Sequence, residues 1–171
     1  MITDTYVYSR IGMALTSAQR VEFVTGELVS HLAEFDTDVY GITSTEFLSN
    51  SDKAKKARKT LGTTFKLLKL SNRMSIEKEL DDYLKKRNLL VHHFWRTYLS
   101  TKSEEQAKKA VNFCNQFGKF SEGLESYFKG FIFFLALRHV KDRHHLSPAL
   151  QEWSEDFDYF IIRALAKNKA M

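Results

Sequence analysis

The sequence has few of the residues that form tight turns and covalent crosslinks. Its 171 residues include one cysteine, one proline and seven glycines. A lone cysteine excludes a disulfide within the chain and fits a reducing compartment. Such low proline and glycine content argues against sandwiches and barrels, which need many tight turns, and is typical of long helices.

Long apolar runs are also missing. The most apolar stretch, Gly130 to Leu137, is far shorter than the roughly 20 residues that a membrane-spanning helix needs. The first residues lack the basic and apolar regions of a signal peptide. We therefore expect a cytoplasmic protein that does not enter the membrane.

The composition is that of a folded protein with a modest positive charge. Apolar residues make up 43% and charged residues 27%, which argues against global disorder. We expect a single domain over residues 1–171, with residues 167–171 fraying at its end. The net charge of +5 is compatible with an anionic partner such as nucleic acid, although many basic proteins have none.

Apolar residues recur at steps of three and four along most of the chain, and no stretch alternates with a period of two. This spacing predicts an all-α bundle of four or five helices. Thr16 or Ser17 would cap a second part of the first helix, glycines would weaken the fourth, and Pro148 would mark a turn. The predicted helices cover residues 6–35, 45–70, 75–101, 103–141 and 151–166.

Two features of the later helices have an ordinary structural interpretation. Cys114 lies among phenylalanines and is expected to be a small buried residue rather than a nucleophile. The apolar stripe of the fourth helix is expected to pack in the core. Its members are Val111, Phe113, Phe117, Phe120, Leu124, Phe128, Phe131 and Leu135.

The helix predicted from Ser75 to Tyr98 carries an arginine on its apolar side. At about 100° per residue, Arg87 falls near the centre of the stripe, and Asn88 and His92 share one edge of it. His93 points to the opposite, charged side. A guanidinium in an apolar stripe is costly unless something pairs with it. The stripe consists of Ile76, Leu80, Tyr83, Leu84, Val91, Phe94, Trp95 and Tyr98.

This set of residues suits the cleavage of RNA by its own 2′-hydroxyl. That reaction needs a base, a cation for the charge on the phosphorus oxygens and an acid at the leaving oxygen. Histidine titrates in the neutral range, arginine offers a charged fork for phosphate, and Asn88 can orient either group. No metal or cofactor is required. In the alternative interpretation, Arg87 pairs with Glu22 or Glu27, and His92 is a hydrogen-bonded core residue.

The pattern Arg87-Asn88-x-x-x-His92 resembles the signature of HEPN domains. With Val91 and Phe94, it is especially similar to the toxin half of HEPN–nucleotidyltransferase toxin–antitoxin pairs. The resemblance implies an all-α bundle with the motif at one end of a long core helix. It also implies a homodimer in which two motif helices form one composite cleft. The implied activity is metal-independent RNA endonuclease, with catalytic Arg87, Asn88 and His92, in a toxin or a defence effector against invading nucleic acid.

The same resemblance bears on partners. Many of these toxins carry Tyr two residues after the His, where this chain has Phe94. Phenylalanine lacks an acceptor hydroxyl, so an antitoxin that transfers an adenylyl group to that tyrosine has no target here. An antitoxin acting in another way stays open. The alternative function is a non-catalytic HEPN-like module that binds a protein or nucleotide partner through the same cleft.

Two further clusters carry charge or potential metal ligands. The sequence His139-x-x-Asp142-x-His144-His145 matches no common zinc spacing, so no metal site is predicted. Basic residues occur in two groups, which are either solvated helix surface or contacts to RNA phosphates. They are Lys53, Lys55, Lys56, Arg58 and Lys59 in one group, and Arg138, Lys141 and Arg143 in the other.

Overall fold

The computed structural model describes residues 2–35, 61 and 76–168. Helix accounts for 87% of these residues and no strand occurs among them, which confirms the predicted all-α fold. The predicted helix at 45–70 lies outside the described residues except for Leu61, which is helical and buried. In the described ranges, no helix combines the length and apolar character needed to cross a membrane.

From Glu77 onward, the described helices follow one another with short connections. The second α-helix is continued by two π-helical segments, and a 3₁₀ turn at Arg143–His145 precedes the fourth. The α-helices are α1 (Asp4–Phe35), α2 (Glu77–Asn88), α3 (Glu104–Leu137), α4 (Pro148–Gln151) and α5 (Ser154–Asn168).

Helix α1 is continuous, so the expected cap at Thr16 or Ser17 is wrong. The Thr16 hydroxyl donates to the carbonyl of Gly12 at 3.0 Å, and the Ser17 hydroxyl donates to that of Met13 at 3.0 Å. Both side chains thus bond back to the preceding turn of the same helix, an arrangement that serine and threonine adopt inside helices.

Helix α3 is also one unbroken helix, although glycines interrupt its sequence. Its predicted stripe is buried at Phe117 and Phe128, and only partly buried at Phe113 and Phe120. The interpretation of this stripe as core is confirmed. Burial in the core outweighs the roughly 1 kcal/mol by which each glycine weakens a helix.

The chain forms two compact units, the first made of Met1–Val21 and Lys78–Gly123. Its core is aromatic. The ring of Tyr83 in α2 stacks on Phe117 of α3 at 5.2 Å between centroids. The ring of Phe113, one turn earlier in α3, lies 6.1 Å from that of Phe117. Phe94, beyond the end of α2, packs on Phe113 at 5.9 Å. These contacts fix α2 and its continuation against α3.

The second unit comprises Glu22–Glu77 and Leu124–Met171. Phe160 of α5 stacks on Phe131 of α3 at 5.1 Å between centroids. The helices approach closely at Gly130, where an added Cβ would lie 2.6 Å from the Cβ of Phe160 and 2.7 Å from the carbonyl carbon of Asp156. A side chain at position 130 is therefore excluded by the packing of α5.

The expectation that Pro148 marks a turn is wrong. Pro148 begins helix α4, because proline suits the first helical position, and the Ser147 hydroxyl caps it by accepting from the amide of Leu150. Near the end of α5, Leu165 is 57% exposed. It lies five residues after the buried Phe160, a separation that takes it off the buried line of α5.

Cys114 is buried in α3, as predicted, and burial raises the pKa of its thiol to about 11. The thiolate is the reactive form, so at pH 8 the folded protein should react with Ellman's reagent roughly 100-fold more slowly than the protein unfolded in urea. The chain has one cysteine, so the released chromophore reports this thiol alone. Equal rates with and without urea would contradict its burial.

Candidate active site

The backbone changes its hydrogen-bond pattern within the predicted motif. Helix α2 ends at Asn88, and the segments Leu89–His93 and Trp95–Leu99 are π-helical. A π-helix bonds each residue to the one five positions away, and such turns are rare and frequently found at functional sites. Arg87 and Asn88 therefore end the regular helix, and His92 lies in the first widened segment.

Hydroxyl groups accompany this widened backbone. Thr97 donates to the carbonyl of His93 at 2.9 Å, and Ser100 donates to the carbonyl of Arg96 at 3.0 Å. Side-chain donors of this kind bind helix carbonyls one turn back. They help to satisfy carbonyl groups in the stretch between the motif and the end of the helix.

One line of residues along this stretch faces the core of the first unit. Tyr83 is fully buried, and Leu90 and Phe94 are 4% and 5% exposed. Arg87 lies on the same line, between Tyr83 and Leu90, and is partly buried. The sequence-based placement of Arg87 on the apolar side is thus confirmed, and the buried line continues beyond α2 at Leu90 and Phe94.

The predicted apolar stripe was too wide. Val91 is 43% exposed and Trp95 is 67% exposed, although both were expected to be buried. Each lies one residue beyond a buried neighbour, Leu90 or Phe94, in π-helical segments that do not keep the 100° step per residue on which the predicted stripe was based. Val91 and Trp95 therefore lie beside the buried line, on the solvent side.

Asn88 and His92 are both exposed. Asn88 and His92 are four residues apart, and the partly buried Arg87 precedes His92 by five residues. His93 was expected to point away from the site. It is also exposed, and its ring centroid lies 6.3 Å from that of His92. The structure thus presents Asn88 and His92 at an accessible surface, with the imidazoles of His92 and His93 as neighbours.

Positive charge gathers at the end of α2. Its last turn contains Lys85, Lys86 and Arg87. The ammonium of Lys86 lies 4.8 Å from the ring centroid of Phe120, and Lys85 pairs with Asp82 at 3.9 Å. No binding role was predicted for these lysines, although the run Lys-Lys-Arg directly before Asn88 was the available signal.

A cleft opens in the first unit beyond the motif. Its volume is about 470 Å³, and it is lined by the start of α1, the segment Trp95–Leu99 and the turn that leads into α3. Trp95 and Tyr8, 67% and 61% exposed, are among its lining residues. Lys102 also lines it and has a φ of 51°, in the left-handed region that favours glycine. The spacing of apolar residues could not predict this cleft, because the start of α1 is distant in sequence from the other residues that line it.

The other predicted binding residues lie elsewhere or outside the described residues. The group Lys53, Lys55, Lys56, Arg58 and Lys59 falls outside them. Arg138, Lys141 and Arg143 belong to the second unit and are exposed. The guanidinium carbon of Arg138 lies 5.0 Å from the ring centroid of Phe134, and that of Arg143 lies 5.9 Å from that of Phe133. Their contact with RNA stays a prediction.

The histidine-rich segment after α3 has a local structural role. The carboxylate of Asp142 accepts a hydrogen bond from the amide of His144 at 3.2 Å and so caps the 3₁₀ turn. Across the described ranges, 2–35, 61 and 76–168, no three histidine, cysteine or acidic side chains come together in a way that could hold a metal ion.

Comparison of the chain with protein-family models, curated proteins and solved structures found no match.

Proposed function

We propose that this protein is a metal-independent RNA endonuclease of the HEPN type, acting as a homodimer. The observation that carries the proposal is the position of the motif. Arg87, Asn88 and His92 occur where helix α2 gives way to a π-helical segment, and Asn88 and His92 are open to solvent. Unusual helical turns of this kind are frequent at functional sites.

The proposed reaction is attack of a 2′-oxygen on the neighbouring phosphorus. The imidazole of His92 takes the 2′-hydroxyl proton as the new O–P bond forms, and the bond to the 5′-oxygen breaks. That oxygen leaves with a proton from a second imidazole, so the products carry a 2′,3′-cyclic phosphate and a 5′-hydroxyl. General acid–base steps of this kind contribute roughly 10²- to 10⁴-fold each.

The remaining residues stabilise charge and orientation in this scheme. The guanidinium of Arg87 binds the non-bridging oxygens, on which negative charge increases in the transition state. Asn88 orients the phosphate or the imidazole. Lys85 and Lys86 add positive potential beside the site and attract the RNA backbone.

The homodimer supplies the second imidazole. One chain contributes a single His92, whereas the reaction needs both a base and an acid. In the proposed dimer, His92 of the partner subunit provides the other. The mass in solution should then be twice the 19.9 kDa of one chain. The proposed setting is a toxin or a defence effector, in line with the resemblance of its motif.

The reaction can be tested with single-stranded RNA in the presence of EDTA. We expect cleavage under these conditions, with 2′,3′-cyclic phosphate ends on the products. A matched oligonucleotide with one 2′-deoxy nucleotide at the cleaved position should resist, because it lacks the nucleophile. Cleavage that requires a divalent metal and leaves 5′-phosphates would contradict the mechanism. RNA binding without cleavage would favour the alternative, a non-catalytic HEPN-like module.

A further inference from the structure

The cleft in the first unit combines exposed aromatic rings with helix ends. Trp95 and Tyr8 both line it and are 67% and 61% exposed. Its volume of about 470 Å³ is within the range of roughly 300–1,000 Å³ typical of small-ligand sites. Flat, exposed rings are the surfaces on which unpaired nucleic-acid bases stack.

The cleft adjoins the stretch that carries the proposed catalytic residues. His92 comes three residues before Trp95 and seven before Leu99 in the same helical continuation of α2. Asn88 and His92 belong to the motif, whereas Trp95 and Leu99 line the cleft. Because His92 and Trp95 are only three residues apart in the chain, the cleft begins close to His92.

The charges around the cleft favour a neutral base inside it and a phosphate at its edge. Asp4 and Glu104 line it and lie in the first turns of α1 and α3, where the helix dipole stabilises their negative charge. Glu104 is paired with Lys108 at 3.6 Å. Carboxylates repel a phosphate, so the cation Lys102 is the cleft residue suited to the RNA backbone.

The backbone at Lys102 gives a second indication. Its φ of 51° places it in the left-handed region, which costs a residue other than glycine roughly 1–3 kcal/mol. Glycine would remove this cost at the turn after Leu99. A lysine held in that conformation, with its side chain lining the cleft, fits a role in binding a ligand.

We propose that this cleft is a subsite that holds one unpaired base of the RNA substrate, stacked on Trp95 and Tyr8, beside the bond that is cleaved at His92. The inference rests on the proposed function and adds a requirement to it. The substrate must be single-stranded next to the cleavage position, because a base within a duplex cannot enter the cleft.

The test measures binding separately from cleavage. The probe is a single-stranded 2′-O-methyl RNA, which lacks the nucleophile, titrated against the tryptophan fluorescence of the full chain. The variant Trp153→Phe leaves Trp95 as the single tryptophan, since the chain has two. We expect the RNA to quench Trp95 and a hairpin of the same composition to quench it much less.

Substitutions then test whether RNA binding depends on the residues of the cleft. Trp95→Ala should weaken RNA binding, followed by polarisation of a labelled RNA, by roughly 5- to 150-fold, the loss of one stacked base. Trp95→Phe should retain most of the affinity. Phe23→Ala removes an aromatic ring that is 65% exposed in the second unit, and it should leave binding unchanged. Lys102→Gly should weaken binding while raising the melting temperature.

Each result separates this inference from the proposed function. If the wild-type protein cleaves RNA while Trp95→Ala binds and cleaves normally, the subsite is wrong and the nuclease assignment stands. If adenosine monophosphate binds as tightly as the oligonucleotide, the cleft is a mononucleotide site and the RNA subsite is overturned. If RNA quenches Trp95 but is never cleaved, the nuclease proposal fails.

Discussion

An alanine in place of His92 should reduce the rate of RNA cleavage by roughly 10²- to 10⁴-fold, because it removes the group that transfers protons in the proposed mechanism. His92 is exposed, so the substitution should change the free energy of unfolding by less than about 0.5 kcal/mol. The measurement is single-turnover cleavage of a labelled single-stranded RNA in EDTA. Circular dichroism melting of the same preparations checks the fold.

The adjacent histidine provides a matched control for this experiment. His93 is also exposed, and its ring centroid lies 6.3 Å from that of His92. We expect His93→Ala to cleave at nearly the wild-type rate, since the motif residue is His92. Equal losses in both variants would mean that the pair acts together and would contradict the assignment to His92 alone. Wild-type activity in His92→Ala would reject the catalytic role outright.

Arg87→Ala is the companion variant, and it needs closer control of stability. Arg87 lies on the line of buried residues between Tyr83 and Leu90, so its aliphatic part contributes to packing. We expect cleavage to be lost at temperatures well below the melting transition. Arg87→Lys keeps the charge but loses the planar fork, so it should recover only a small part of the activity.

Gly130→Ala should destabilise the protein by about 1–3 kcal/mol, although alanine is the better helix former. An added Cβ would meet the backbone carbonyl of Asp156 and the Cβ of Phe160, neither of which is a flexible side-chain end. Helix α5 must therefore shift away from α3. The expected fall in melting temperature is roughly 2–4 °C for each kcal/mol in a protein of this size.

Gly118 offers the control on the same helix. A Cβ at Gly118 has nothing within 4 Å, so Gly118→Ala should stabilise the protein by about 0.5–1 kcal/mol through helix propensity alone. Opposite signs for the two substitutions would establish that close approach, rather than helix propensity, requires glycine at position 130. A loss of stability at both positions would contradict this explanation.

The sequence alone was sufficient for the helical class and for most of the core. Low glycine and proline content and the three- and four-residue spacing identified α1 and α3, and the burial of Phe117, Phe128 and Cys114 followed from it. Burial and helix position depend mainly on the local pattern of apolar residues, which a sequence displays directly.

Other features could not be predicted because they depend on contacts far apart in the chain or on local backbone alternatives. Thr16 and Ser17 are equally suited to capping a helix and to bonding back inside one, and only tertiary packing decides between these uses. The exposure of Trp95 followed neither from its hydrophobicity nor from the 3.6-residue period. The cleft at Trp95 depends on α1 meeting the end of the motif helix.

The π-helical stretch after Asn88 gives the site an adjustable element. Each widened turn holds an extra residue relative to an α-turn, so the chain has a local alternative in which the same residues bond as ordinary helix. Passing from one pattern to the other would rotate the exposed His92 about the helix axis and would also move Leu90 and Phe94, which are 4% and 5% exposed. The packing of Phe94 on Phe113, at 5.9 Å between ring centroids, therefore ties the position of the His92 imidazole to the core of the first unit.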